Sequence, residues 1–185
     1  MKTKMKSFKW SLIFLLLIYP LAAHGQIFDE EKTDFDKLFQ QQLSANGKTL
    51  NLAGKKIGDE GIKILLAHEI LKKVVKLDLR YNEVTEKGAK LMADSQSLSK
   101  IKTLELRHNF LADAGAKLIA QSENFTSLKE LKLGWNEVRD AGAMAFTEQK
   151  IKNLTKLDLR GNFLSNDTKT ALKTTLSHFK KLLLY

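Results

Sequence analysis

The segment LDLRYNEV, residues 77–84, decides the fold, because it recurs along the chain at a nearly constant spacing. Clear copies are LELRHNFL from Leu104, LKLGWNEV from Leu131 and LDLRGNFL from Leu157, and LNLAGKKI from Leu50 is a weaker copy. The starting leucines lie 27, 27, 27 and 26 residues apart. Self-similarity with a period of about 20–50 residues is typical of solenoids and other repeat architectures. The sequence therefore predicts a stack of five similar units.

Each column of the repeat predicts a structural role. The alternating L-x-L predicts a short strand with one buried face. The asparagine at the end of each strand is expected to satisfy backbone groups of a buried turn. These structural asparagines are Asn82, Asn109, Asn136 and Asn162. Apolar residues at helical spacing follow, as at Leu91 and Met92. A glycine in the first turn of each helix, such as Gly88 or Gly115, is expected where helix and strand approach too closely for a side chain.

These residues resemble the leucine-rich repeat of the ribonuclease-inhibitor-like class, bacterial secreted type, over residues 47–185. The resemblance implies an α/β solenoid with a curved parallel β-sheet on the concave side and α-helices on the convex side. That family includes inhibitors, innate immune sensors, GTPase activators and bacterial effectors. The fold therefore sets only a prior on function.

Residues 1–25 have the layout of a secretory signal peptide. Four lysines without an acidic residue precede the apolar run SLIFLLLIY, and small residues follow it. Ala23 and Gly25 occupy the two small positions, so cleavage is expected after Gly25. An uncleaved anchor is the alternative, but the run is shorter than the roughly 20 apolar residues that a span needs. The sequence predicts a secreted or periplasmic protein with no stable membrane span after cleavage.

The charge and cysteine content narrow the class further. The chain of 185 residues has a formal net charge of +10, which falls to +6 without the four lysines of residues 1–25. That fall weakens a nucleic-acid-binding interpretation, and no nucleic-acid partner is expected. The absence of Cys excludes disulfides, thiolate metal sites and cysteine nucleophiles. An exported chain without Cys indicates a bacterial envelope or secreted protein.

Both ends of the repeat array are expected to be closed. Residues 26–47 are predicted to form a capping helix, on which Phe28, Phe35, Leu38, Phe39 and Leu43 share one face. Thr33 and Asp36 are expected to form a capping pair at its start. Residues 48–185 then hold five repeats and a terminal strand. That sixth strand is predicted at Leu182 to Leu184, after a helix near residues 166–178.

The two edges of the solenoid are expected to carry opposite charge. Acidic residues recur where helices begin: Asp59, Glu60, Glu86, Asp113, Asp140 and Asp167. Lysines gather where helices have ended: Lys72, Lys73, Lys76, Lys100, Lys102, Lys129, Lys150, Lys152 and Lys156. One interpretation is compensation of the helix macrodipole. The other is that the lysine edge binds an anionic surface.

The concave face is the predicted binding site. Alternation along each strand turns the residues between the leucines away from the core, and Tyr81, His108 and Trp135 then fall on adjacent strands about 5 Å apart. The predicted partner-binding residues are Arg80, Tyr81, Arg107, His108, Trp135 and Arg160. Tyr, Trp and Arg are enriched at binding hot spots. The arginines occupy the same position in their repeats and form a column, here called the arginine column, which is expected to extend to Tyr185. The alternative is that each arginine only neutralises the acid two residues before it: Asp78, Glu105 and Asp158.

No catalytic constellation is found, and no enzyme activity, metal or cofactor is expected. The predicted mature chain has three His (His68, His108 and His178), none at metal-ligand spacing. No G-x-S-x-G or phosphate-loop motif occurs. The leading hypothesis is an exported, non-enzymatic module that binds a protein ligand on its concave face, such as a bacterial secreted or host-interacting factor. The alternatives are a GTPase-activator-like regulator and attachment to an anionic surface through the lysine edge.

Overall fold

A computed structural model of the protein describes residues 33–185. The predicted signal peptide, residues 1–25, and the start of the predicted capping helix lie outside this range. The described residues form a six-stranded parallel sheet in which neighbours in sequence are neighbours in space. The strands are β1 (Thr49–Asn51), β2 (Lys76–Asp78), β3 (Thr103–Glu105), β4 (Glu130–Lys132), β5 (Lys156–Asp158) and β6 (Lys181–Leu183). This order confirms the predicted α/β solenoid.

One helix precedes the first strand, and one connects each strand to the next. They are α1 (Phe35–Gln42), α2 (Gly58–Ala67), α3 (Glu86–Asp94), α4 (Ala112–Ala120), α5 (Asp140–Met144) and α6 (Asn166–Thr175). Short 3₁₀ turns follow three of them, at Glu69–Lys72, Gln96–Leu98 and Ala145–Glu148. Each connection therefore returns the chain to the same end of the sheet, as a right-handed strand–helix–strand unit does.

The core lies between the sheet and the helices. The repeat leucines pair across the strands in register, from Leu50 with Leu77 to Leu157 with Leu182. The second leucine of each copy is also buried, as Leu79 and Leu106 show. The face of the sheet turned away from the helices is here called the concave face.

The asparagine column joins adjacent repeats through buried hydrogen bonds. The Asn109 side chain accepts from the backbone N–H groups of Asn82 and Val84, each at 3.0 Å. Its amide donates to the carbonyls of Leu79 at 2.9 Å and Leu106 at 2.8 Å. Asn162 repeats this pattern on the following pair of repeats. Otherwise unpaired turn groups are satisfied in this way, so the column serves the fold as predicted.

The helix glycines face the preceding helix, which corrects the expectation of a helix–strand contact. Gly88 N–H donates to Asp59 Oδ1 at 3.0 Å, and a Cβ on Gly88 would lie 2.5 Å from that oxygen. Gly142 stands in the same relation to Asp113. Asp59 also accepts from the backbone N–H of Thr85 at 2.9 Å. Asp59, Asp113 and Asp140 therefore tie one repeat to the next, in addition to any effect on the macrodipole.

The two ends of the described chain correct details of the sequence interpretation. Asp34, rather than Thr33, caps α1, and its side chain accepts from Lys37 N–H at 3.0 Å. The predicted capping pair of Thr33 and Asp36 is therefore wrong. Phe39 of α1 is fully buried in the core, and the helix ends at Gln42 rather than at residue 47. At the other end, α6 stops at Thr175 rather than near residue 178.

Candidate functional site

Tyr81, His108 and Trp135 form a continuous stack of rings where β2, β3 and β4 end. The ring centroids of Tyr81 and His108 are 4.2 Å apart, and those of His108 and Trp135 are 4.7 Å apart. Both pairs are within 10° of parallel. The second separation equals the spacing of neighbouring strands, which is about 4.7–4.9 Å, and the first is about 0.5 Å shorter. The sheet itself therefore sets the geometry of this aromatic stack.

The backbone of the aromatic stack is left-handed. The φ angles are 55° at Tyr81, 56° at His108 and 55° at Trp135. A left-handed residue other than glycine costs roughly 1–2 kcal/mol. Tyr81 N–H donates to Arg107 O at 3.2 Å, and His108 N–H donates to Gly134 O at 3.0 Å. Each residue is therefore held in this conformation by hydrogen bonds to the next repeat.

Glycines occupy the same column at both ends of the aromatic stack. Gly54 and Gly161 each have φ of 69°. A Cβ on Gly161 would lie 2.6 Å from Cδ1 of Trp135, so the indole rests on this glycine. A Cβ on Gly54 would meet nothing within 4 Å, and the side of the stack toward Tyr81 is open.

The aromatic stack is accessible, and it lies near other exposed aromatic residues. Tyr81 is 52% exposed and Trp135 is 43% exposed. Phe110 and Phe163, each one residue past an asparagine of the repeat, are more exposed still. Arg139 covers the Phe163 ring at 5.4 Å. Exposed aromatic groups in this density are typical of interaction surfaces.

The three predicted arginines are held by carboxylates of their own strands. In the N-terminal pair, Arg80 Nη2 donates to Asp78 Oδ2 at 2.8 Å. Arg107 is paired in the same way with Glu105 at 2.7 Å, and Arg160 with Asp158 at 2.7 Å. The acids are almost completely buried, whereas the guanidinium groups are half-exposed. The neutralising pairs considered as the alternative are therefore present. They do not exclude binding, because they hold the arginines in fixed positions.

The pKa values of Asp158 and His108 are both lower than usual. Burial alone would raise the pKa of Asp158, but the hydrogen bonds from Arg160 outweigh it and hold the pKa below its ordinary value. Desolvation lowers the pKa of His108, and the charges of Arg107 and Arg80 lower it further. Both effects favour the neutral imidazole, which suits a stacked ring better than a cation would.

Two sequence expectations about the charged surface are wrong in detail. Tyr185 does not extend the arginine column, because its ring lies against Lys169 and Lys173 of α6, and Lys173 Nζ lies 2.7 Å from its hydroxyl. Lys156 belongs to β5 rather than to the lysine edge, and its Nζ lies 3.6 Å from Glu130. On the edge itself, Lys150 is paired with Glu123 at 3.0 Å.

Sequence reasoning missed Glu130 and Lys181, and it assigned Lys156 to the lysine edge. These three residues are the first of β4, β6 and β5, and they line a pocket on the concave face. The alternation of side chains along a strand predicts their orientation, because residues two apart share a face.

Within residues 33–185, no cluster of His, Asp and Glu could hold a metal ion, and no helix is long and apolar enough to cross a bilayer.

Comparison with known proteins agrees with the repeat. A family model described as "Leucine Rich repeat" matches residues 71–93, 97–120 and 126–146. The tropomodulin C-terminal domain from Caenorhabditis elegans is 16% identical with a TM-score of 0.59, over 79% of this chain and 93% of that one. The domain titled leiomodin-1 actin-binding site 2 is 15% identical with a TM-score of 0.48, over 86% of this chain and 79% of that one. No curated protein sequence matches the chain. The family model thus detects leucine-rich repeats in the central part of the solenoid, within residues 71–146.

Proposed function

We propose that the chain is an exported, non-enzymatic module that binds a protein partner through its concave face. Export rests on the pattern of residues 1–25. The repeat register and the lack of Cys favour a bacterial secreted member of the ribonuclease-inhibitor-like class. The observation that carries the binding proposal is the exposed aromatic stack of Tyr81, His108 and Trp135 on left-handed backbone.

The residue before each asparagine needs a left-handed backbone, and glycine meets that need. The aromatic side chains at this position are not required by the backbone. Gly54 and Gly161 adopt the same backbone without strain. Three aromatic residues in this conformation cost roughly 1–2 kcal/mol each. Two stacked pairs recover only about 0.5–1.5 kcal/mol each. Folding alone therefore does not account for these side chains, and backbone strain of this kind is concentrated at functional sites.

The aromatic stack is also well suited to bind. Aromatic side chains provide a large contact area and lose little conformational entropy when a partner docks. The rings are already ordered by one another, and the neighbouring Arg80 and Arg107 are ordered by buried carboxylates. Preorganisation of this kind lowers the free-energy cost of association.

The test is capture of a partner by the immobilised protein from periplasmic and host-cell extracts. The double variant Tyr81→Ala/Trp135→Ala should lose capture, while its thermal unfolding stays close to that of the unsubstituted protein. The matched control is Met144→Ala/Tyr185→Ala, which removes two exposed apolar side chains from the helical side. That control should capture normally. Unchanged capture by the Tyr81/Trp135 variant would refute the concave-face assignment.

A further inference from the structure

A small pocket on the concave face carries more positive than negative charge. It has a volume of about 120 Å³ and lies between β4, β5 and β6. Its five cationic side chains are Arg107, Lys132, Lys156, Arg160 and Lys181. Only two carboxylates line it, those of Glu130 and Asp158. The pocket is therefore complementary to an anionic group.

A glycine stands in the arginine column beside this pocket, between two of its arginines. Gly134 follows β4 and occupies the position in its repeat that Arg107 and Arg160 occupy in the two neighbouring repeats. A Cβ on Gly134 would lie 2.8 Å from the Arg160 carbonyl and 3.4 Å from Cγ and Cδ of Arg107. The Arg160 carbonyl thus lies too close for a side chain at 134, and the Arg107 side chain packs at contact distance beside the glycine.

The cations of the pocket share too few acids to be neutralised. Lys132 Nζ lies between Glu105 at 3.3 Å and Glu130 at 3.4 Å. Lys156 Nζ reaches the same Glu130 at 3.6 Å. Within residues 33–185, Lys181 forms no ion pair with a carboxylate. Lys132 and Lys156 thus share Glu130, Lys132 and Arg107 share Glu105, and Lys181 is left for an external anion.

We propose that this pocket receives a carboxylate side chain from an acidic segment of the protein partner. The inference rests on the proposed function, since it names the partner chemistry for the same face. Arg107 and Arg160 directly precede His108 and Gly161, so the pocket adjoins the aromatic stack. Arg107 and Arg160 already bind Glu105 and Asp158 through Nε and Nη2, so the lysine ammonium groups are the donors to the incoming carboxylate.

A polyanion such as nucleic acid fits the pocket less well than a protein carboxylate does. Glu105, Glu130 and Asp158 are interleaved with the cations and would repel closely spaced phosphates. The small volume also suits one compact group rather than a continuous charged backbone. The occupant is therefore an acidic side chain presented by a folded or extended protein segment.

The test measures fluorescence anisotropy of a fluorescein-labelled hexaglutamate peptide with the purified protein at low salt. Lys156→Gln/Lys181→Gln should weaken binding about tenfold, since two favourable charge contacts are lost. The matched control is Lys87→Gln/Lys117→Gln, which removes two exposed lysines from α3 and α4. It should weaken binding less than about twofold, because screened charges far from the pocket contribute little. Thermal unfolding checks that all variants are folded.

Three outcomes would overturn the proposal. They are no binding of hexaglutamate to the unsubstituted protein, equal weakening by both double variants, and tighter pocket-dependent binding of labelled hexathymidylate than of hexaglutamate. The last outcome would indicate a polyanion site. Hexaglutamate binding does not require Tyr81 or Trp135, so failure of the pocket is distinguished from failure of the proposed function. If only Tyr81→Ala/Trp135→Ala loses partner capture, the concave face binds without using this pocket.

Discussion

Two columns of residues stand side by side at the ends of the strands, and they serve opposite purposes. Asn82, Asn109 and Asn136 are buried, and their amides bond to adjacent repeats. The residues immediately before them, Tyr81 and Trp135 among them, are exposed on strained backbone. One column lowers the free energy of the fold, whereas the other raises it. Adjacent positions of a repeat can therefore be divided between stability and recognition, and each can be changed without the other.

The largest expected effect is loss of stability in Asn109→Ala. This change leaves the backbone N–H groups of Asn82 and Val84 buried without an acceptor, and it removes donors to Leu79 and Leu106. Buried groups left unpaired cost about 1–3 kcal/mol each, so the free energy of unfolding should fall by about 3–5 kcal/mol. Urea unfolding followed by circular dichroism measures it.

Asn136→Ala sharpens this prediction within the same column. Asn136 donates to Leu106 and Leu133, but its Oδ1 is buried without a partner among the described residues. Its removal orphans no backbone N–H, so the loss should be about half that of Asn109→Ala. Equal losses at the two sites would contradict the assignment of the stabilising role to the accepted N–H groups.

A smaller effect is expected where the aromatic column meets glycine. Gly161→Ala places a methyl group against the Trp135 ring and adds left-handed strain. We expect a loss of about 2 kcal/mol, of which roughly 1 kcal/mol comes from the backbone. The displaced indole should also shift the near-ultraviolet circular dichroism of the protein.

Gly54→Ala is the matched control for that substitution. Gly54 has the same φ as Gly161, but its Cβ would enter open space. Only the backbone strain of roughly 1 kcal/mol should remain, with no change in the near-ultraviolet signal. If both alanine variants lost the same stability and the same signal, contact between Gly161 and Trp135 would not be the cause.

Most of the fold follows from the sequence because the repeat fixes the register. Once Leu77, Leu104 and Leu131 are aligned, strand order, buried faces and the asparagine column follow from alternation and spacing. The same alignment predicts the sheet's last strand, although it spans Lys181–Leu183 rather than Leu182 to Leu184.

The details of the site do not follow in this way. Spacing places Tyr81 and His108 on neighbouring strands, but it does not reveal the left-handed backbone that makes their rings parallel. The partners of Asp59 lie in the next repeat, and the ring of Tyr185 turns toward α6. These contacts depend on side-chain rotamers and on tertiary distances, which a one-dimensional pattern does not encode.

The smallest expected effect is a pH dependence that originates in the middle of the aromatic stack. The pKa of His108 in the folded protein lies below its ordinary value of 6.5 because of desolvation and the nearby Arg107 and Arg80. Above pH 6.5 the residue is neutral in both states and imposes no penalty. As the pH falls through that value, the unfolded chain binds the proton first, so stability decreases until the folded protein is protonated too.

Unfolding midpoints between about pH 7.5 and 5.5 should therefore fall more in the unsubstituted protein than in His108→Asn. Asparagine is the chosen substitute because it tolerates the left-handed backbone. Trp135 fluorescence provides an independent measurement in protein without residues 1–25, which hold the second tryptophan, because the indole stacks directly on the imidazole. Its titration midpoint should lie below 6.5. A midpoint at or above that value would mean that the imidazolium is accommodated between the two rings. The stack would then be a site that prefers a cation rather than a neutral aromatic surface.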